Sequence, residues 1–114
     1  MTISISTHVL DLASGVPAEG VKIELWKLER TEKHLVAYLL TNQDGRVSPQ
    51  MIEQAGEFQM LFYIGDYFKS RNNQLSEPMF LDKVPIQFGV EMGNRNYHIP
   101  LLISPWGYQT YRGS

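Results

Sequence analysis

From Thr2 to Leu10 the chain alternates, with Ile3, Ile5 and Val9 on one side of an extended segment and Ser4, Ser6 and His8 on the other. A period of two belongs to a strand with one face in a core, so His8 is expected to point away from the first core face. "VKIELWKL" repeats the pattern, setting Val21, Ile23 and Leu25 against Lys22, Glu24 and Trp26, and "HLVAYLLT" is rich in strand formers up to Thr41. Further strands are predicted at "EFQMLFYI", "VPIQFGVEM", "YHIPLLIS" and "GYQTYRG", closely spaced as in all-β chains, with Gly, Pro and Asn between them. "SGVPAEG" and "NQDGR" read as turns, with Asp44-Gly45 a strong reversal signal, and "ERTEK" reads as a charged hairpin tip. Only "GDYFKSRNN" reads as helix, a turn or two with Tyr67, Phe68 and Arg71 together. The pattern predicts an all-β fold, a two-sheet sandwich with one short helix attached. Such a sandwich has edge strands, which natural proteins cover or pair, so edge-to-edge oligomerisation is expected.

Composition narrows the partners. The 114 residues, 43% hydrophobic and 19% charged, suit one domain over residues 1–114 with a real core. The 10 basic and 12 acidic residues are intermixed, which argues against nucleic acid and anionic membranes as partners. Cysteine is absent, which removes disulfides, thiol catalysis and thiolate metal sites and fits a reducing compartment. "TISISTHVLDLAS" has neither the basic start nor the apolar block of a signal peptide. No apolar run approaches the roughly 20 residues of a membrane helix. A soluble, cytoplasmic protein is the expectation. Trp26, Phe58, Phe62, Phe80 and Phe88 are expected in the core, and Trp106 with Tyr108 at a subunit interface.

The familiar catalytic signatures, a phosphate loop, HExxH, GxSxG or an acidic calcium ladder, do not occur. The remaining candidates are scattered. His34 follows the charged hairpin tip and reads as a structural surface residue. His8 and His98 sit mid-strand on polar sides, His8 with Ser4 and Ser6, His98 with Asn96. Polar faces of inner strands are unusual unless they line something, and paired imidazoles near neutral pKa suit general acid and base work. Two histidines without a nearby carboxylate or thiolate make a poor zinc site. Arg46, after the Asp-Gly turn, is by itself a solvated loop charge; beside an imidazole in a cleft it becomes a clamp for a carbonyl or an anion. The chain closes on "YQTYRGS", with Ser114 directly after a predicted strand, where frayed polar residues are usual.

"ISTHVLDLASGVPAEGVKIEL", "TNQDGR" and "YHIPLLISPWGYQTYRGS" together resemble the transthyretin-related 5-hydroxyisourate hydrolases, over essentially the whole chain and in the right order. The terminal "YRGS" separates these hydrolases from hormone-carrying transthyretins, which also lack the histidine before "VLD". Leu12 and Val16 depart from common family residues, in a turn not expected to touch substrate.

The resemblance implies a transthyretin-like sandwich assembled as a homotetramer, a dimer of dimers, with active sites in the channel between dimers. It implies conversion of 5-hydroxyisourate to 2-oxo-4-hydroxy-4-carboxy-5-ureidoimidazoline, without metal or organic cofactor. Carried over by motif, the functional residues are His8, Arg46, His98, Tyr111, Arg112, Gly113 and Ser114, with His8, Arg46, His98 and Ser114 in catalysis. His98, with Ser114, would activate water and His8 would supply the complementary hydrogen bond or proton, two roles that sequence leaves interchangeable. Arg46 would clamp a urate-like oxygen and Tyr111 would bind substrate. Tyr111 and Ser114 face opposite sides of a regular strand, so the terminus is expected to bend, a freedom assigned to Gly113. Two other classes remain open: a non-catalytic carrier holding a small ligand in an apolar intersubunit channel, and a module that only mediates contacts.

Overall fold

The structure, a computed structural model, describes residues 2–72 and 74–114. Among these residues the chain forms nine strands and one helix, in the order β1 (Ile3–Asp11), β2 (Val16–Pro17), β3 (Lys22–Leu28), β4 (Lys33–Leu40), β5 (Gln50–Ile52), β6 (Gly56–Tyr63), α1 (Ile64–Lys69), β7 (Lys83–Val90), β8 (Arg95–Ser104) and β9 (Gly107–Thr110). One sheet runs β2-β1-β8-β9, with β5 also pairing the start of β1; the other runs β4-β3-β6-β7. β1 and β8 are parallel, in a register that sets Ser6 opposite His98 and His8 opposite Pro100.

The alternation seen in sequence becomes the two faces of this first sheet. Ile3, Ile5 and Val9 of β1, with Tyr97, Ile99, Leu101 and Ile103 of β8, are buried against Ile23, Leu25, Phe58, Met60 and Phe62 of the second sheet. Polar residues at inner positions find partners. Thr7 Oγ1 donates to the Ile99 carbonyl at 2.5 Å. Thr41 Oγ1 donates to the Ala18 carbonyl at 2.6 Å and accepts from the Val21 N–H at 2.8 Å. Asp11 ends β1 by accepting from the Ala13 and Ser14 N–H groups and from the Tyr67 hydroxyl of α1. Among the described residues no buried side-chain nitrogen or oxygen lacks a partner, as a low-dielectric interior requires.

Several expectations change. α1 starts at Ile64 and ends at Lys69, shorter than the predicted helix, whose last residue, Asn73, lies outside the described residues. Within "SGVPAEG", read as turn, Val16 and Pro17 pair with Asp11 and Leu10, and β5 has no counterpart in the periodicity because three residues are too few to show one. Phe80, expected in the core, is 73% exposed, in the loop between α1 and β7. Trp26 is also not a core residue: it is half-buried on the outer face, its Nε1 donating to Glu24 at 2.9 Å and its ring under the Lys33 ammonium at 4.6 Å. An indole with both a hydrogen-bond acceptor and a cation available is satisfied at a surface. Phe58 and Phe62 are core residues, and Phe88 packs partly buried against them.

Candidate active site

The outer face of β1 and β8 carries Ser4, Ser6, His8 and Leu10 beside Asn96, His98, Pro100 and Leu102, because both strands keep parity and their register is parallel. With Arg46, Pro49, Tyr111, Gly113 and Ser114 these residues line a cleft of about 690 Å³.

Arg46 reaches the cleft through a turn that sequence builds locally. Asn42 Oδ1 accepts from the Asp44 and Arg46 N–H groups at 2.9 and 3.0 Å, while the Asn42 N–H donates to the Arg46 carbonyl and the Gly45 N–H to the Asn42 carbonyl. The turn docks on β1, the Val9 N–H donating to the Gly45 carbonyl at 2.8 Å, and Arg46 bridges His8 in antiparallel fashion. Gly45 has φ +75°, and a Cβ there would run into the Val9 carbonyl oxygen. Only glycine combines that backbone with that approach.

The chain terminus returns to the same place. After β9 leaves off at Thr110, the Gly113 N–H donates to the His98 carbonyl at 2.8 Å in an isolated bridge. A Cβ at Gly113 would lie 2.7 Å from His98 Cδ2. Gly113 is not among the glycines with positive φ, so close approach to the imidazole, rather than the conformational freedom expected from sequence, is what demands glycine here. Tyr111, Gly113 and Ser114 line the cleft; Arg112 does not, its guanidinium lying over the Tyr97 ring at 4.6 Å from the centroid.

Electrostatics favour neutral imidazoles. Burial holds the His98 pKa below its ordinary value, and the Arg46 cation and His8 add to the effect. His8 is likewise lowered, by burial first and Arg46 second, against a smaller opposing pull from a hydrogen bond to the Asp44 backbone. The nitrogen Nδ1 of His98 lies 2.9 Å from Ser6 Oγ. Two half-buried neutral imidazoles, a guanidinium and hydroxyl groups around one cleft can exchange protons and hold an anionic oxygen. Among the described residues no group of three or more His, Cys, Asp or Glu gathers as metal ligands would. His34 stands apart, exposed in β4 and 3.4 Å from Glu32.

Sequence reasoning names the two histidines, Arg46 and the tail but passes over Ser6 and Asn42 as site residues. Their signals are present, Ser6 by sharing parity with His8 and Asn42 by standing two residues before Asp44-Gly45.

Residues 5–113 match the model of the HIUase/Transthyretin family. The chain belongs to that family. It is 47% identical to "5-hydroxyisourate hydrolase 2" of Rhizobium meliloti over 96% of this chain and 95% of the relative. Among solved structures, the 5-hydroxyisourate hydrolase of Klebsiella pneumoniae superposes with TM-score 0.78 at 34% identity, over 97% of this chain and 93% of that one. An (S)-allantoin synthase superposes with TM-score 0.91 at 38% identity, over 99% of this chain, which spans only 44% of that longer protein. The transthyretin-like two-sheet sandwich that the family implies is the fold described above.

Proposed function

We propose that this chain is a 5-hydroxyisourate hydrolase, an enzyme of urate breakdown that converts 5-hydroxyisourate to 2-oxo-4-hydroxy-4-carboxy-5-ureidoimidazoline. The observation that carries the reading is the convergence of His8, His98, Arg46 and the terminal Tyr111, Gly113 and Ser114 on one cleft, in a chain whose full-length relatives bear that name.

In the proposed mechanism water adds to a ring amide carbonyl. His98, assisted by Ser114, takes a proton from the water as its oxygen forms the new C–O bond. The C–N bond then breaks and the departing nitrogen receives a proton, with His8 supplying the complementary hydrogen bond or the proton itself. The neutral state of both imidazoles, favoured by burial and Arg46, suits a base at neutral pH. Arg46 faces the oxygen on which negative charge develops and lowers the barrier by stabilising it. Tyr111 contacts the substrate ring, and Gly113 with Ser114 forms the wall. Arg112, stacked on Tyr97, contributes by holding the terminal segment rather than by touching substrate. The reaction as proposed uses no metal or organic cofactor.

The proposal takes residues 1–114 as one catalytic domain and places it in the cytoplasm as a homotetramer, a dimer of dimers with the cleft on the channel between dimers. Trp106 and Tyr108, 67% and 46% exposed, support their use at a subunit contact. A carrier would favour an apolar channel with few polar anchors; Ser4, Ser6, His8, Asn96 and His98 on the cleft floor favour chemistry instead.

The test is to generate 5-hydroxyisourate in situ from urate with urate oxidase and follow its ultraviolet decay. Faster decay with this protein, abolished in His98→Asn, is the expected result; decay at the spontaneous rate from a folded protein overturns the reading.

A further inference from the structure

His98 is held from two sides. Gly113 closes on its Cδ2 and Cβ edge, and Ser6 Oγ stands 2.9 Å from its Nδ1, directly across the parallel β1/β8 register. With Nδ1 engaged, Nε2 is the ring nitrogen left for another partner. A second rung on the same face repeats the arrangement, Ser4 Oγ donating to Asn96 Oδ1 at 2.6 Å, so two serine hydroxyls line the cleft side by side along β1.

The chemical character of that partner matters. A hydroxyl both donates and accepts. It accepts from Nδ1–H when Nε2 is an unprotonated base, still accepts when the ring is an imidazolium, and rotates to donate when the proton sits on Nε2. A carboxylate in its place would only accept, would lock one tautomer and would favour the charged ring. None of the side chains lining the cleft among the described residues is Asp or Glu.

We propose that Ser6 is a positioning residue of the hydrolysis: its hydroxyl fixes the orientation of the His98 ring with Nε2 toward the reacting water, and stays hydrogen-bonded through each protonation state that the ring passes. The inference rests on the hydrolase reading above. The titratable and charged side chains facing His98 are His8 from β1 and Arg46 from the loop before β5, with Tyr111 on the terminal segment. None of these side chains is a carboxylate, so none replaces Ser6 as a side-chain anionic acceptor for Nδ1–H.

Three variants test this, each read by steady-state kinetics, the pH profile and nitrogen-15 shifts of the His98 imidazole. Ser6→Ala is expected to lower kcat on the order of 10- to 100-fold, the usual cost of removing an outer hydrogen-bond partner, with KM little changed and the His98 nitrogen shifts moved. Ser6→Thr, which keeps the hydroxyl on a residue suited to a strand, is expected to restore most of kcat. Ser6→Asp is expected to move the acid limb of the profile to higher pH. An active wild-type protein whose Ser6→Ala variant keeps both kcat and the nitrogen shifts overturns the role of Ser6 alone. A wild-type protein that does not speed decay overturns the hydrolase reading, and the role of Ser6 with it.

Discussion

Gly113 lies against His98 so closely that its backbone N–H reaches the His98 carbonyl at 2.8 Å while a Cβ on its α-carbon would come within 2.7 Å of the imidazole Cδ2. A side chain there must displace either the terminus or the ring. Gly113→Ala is therefore expected to lower kcat/KM on the order of 100-fold, the scale of a misplacement of about 1 Å in a site. Thermal unfolding should change little, since the terminus is peripheral to the core. Activity equal to wild type would show that the terminal segment is not part of the catalytic geometry.

Arg46 is the cation that both cleft histidines share. Because burial and Arg46 lower their pKa values, the neutral forms persist below the ordinary imidazole value of about 6.5, and kcat/KM is expected to hold through that pH and fall only on further acidification. Arg46→Ala removes one lowering influence, so the acid limb should move up in pH, alongside a loss on the order of 10²–10³ in rate if Arg46 is the oxyanion partner proposed above. Proton NMR titration of the two imidazoles checks the direction independently of rate. The linkage to folding has the same sign: between the lowered and the ordinary values the unfolded chain binds more protons, so stability falls as pH drops through that window.

Asn42 shapes the turn that delivers Arg46, using one carbonyl oxygen for two N–H donors. Asn42→Asp keeps that acceptor and should retain most activity. Asn42→Ala frees both donors and should cost about 1 kcal/mol in stability, with kcat/KM falling roughly tenfold as Arg46 loses its place. Equal activity in the two variants would remove Asn42 from the account of the site.

Tyr67 tests the core rather than the chemistry. Its hydroxyl donates to Asp11 Oδ2 at 2.8 Å, and burial with that bond pushes its pKa up to about 12. Tyr67→Phe leaves a buried carboxylate oxygen short of a partner and is expected to cost about 1–3 kcal/mol, read as a lowered Tm with turnover at 25 °C unchanged. A raised phenol pKa contributes stability that is complete below the unfolded value of about 10 and is lost as pH rises toward 12. Wild type should thus lose its advantage over Tyr67→Phe in that alkaline window.

The strands were legible because alternation is local: Ile3, Ile5 and Val9 against Ser4, Ser6 and His8 needs no partner strand to be seen. The same parity marked His8 and His98 as residues of a polar face. Short or edge-lying pieces escaped, β2 and β5 because so few residues carry no period, and Phe80 because hydrophobicity alone does not say whether a loop lies over the core. Trp26 shows the same gap, its place following from a lysine and a glutamate supplied by tertiary neighbours.

By itself, the amino-acid sequence determined the all-β class, the polar face with its histidines, the turn that ends in Arg46 and the family to which the chain belongs. The parallel register of β1 on β8 puts Ser6 on His98, and it belongs to the folded sheet, because residues 92 positions apart meet only through tertiary packing. The return of the tail has the same origin. Gly113 is a flexible residue as far as local preference goes, and the imidazole packed against it is what makes every larger side chain too big.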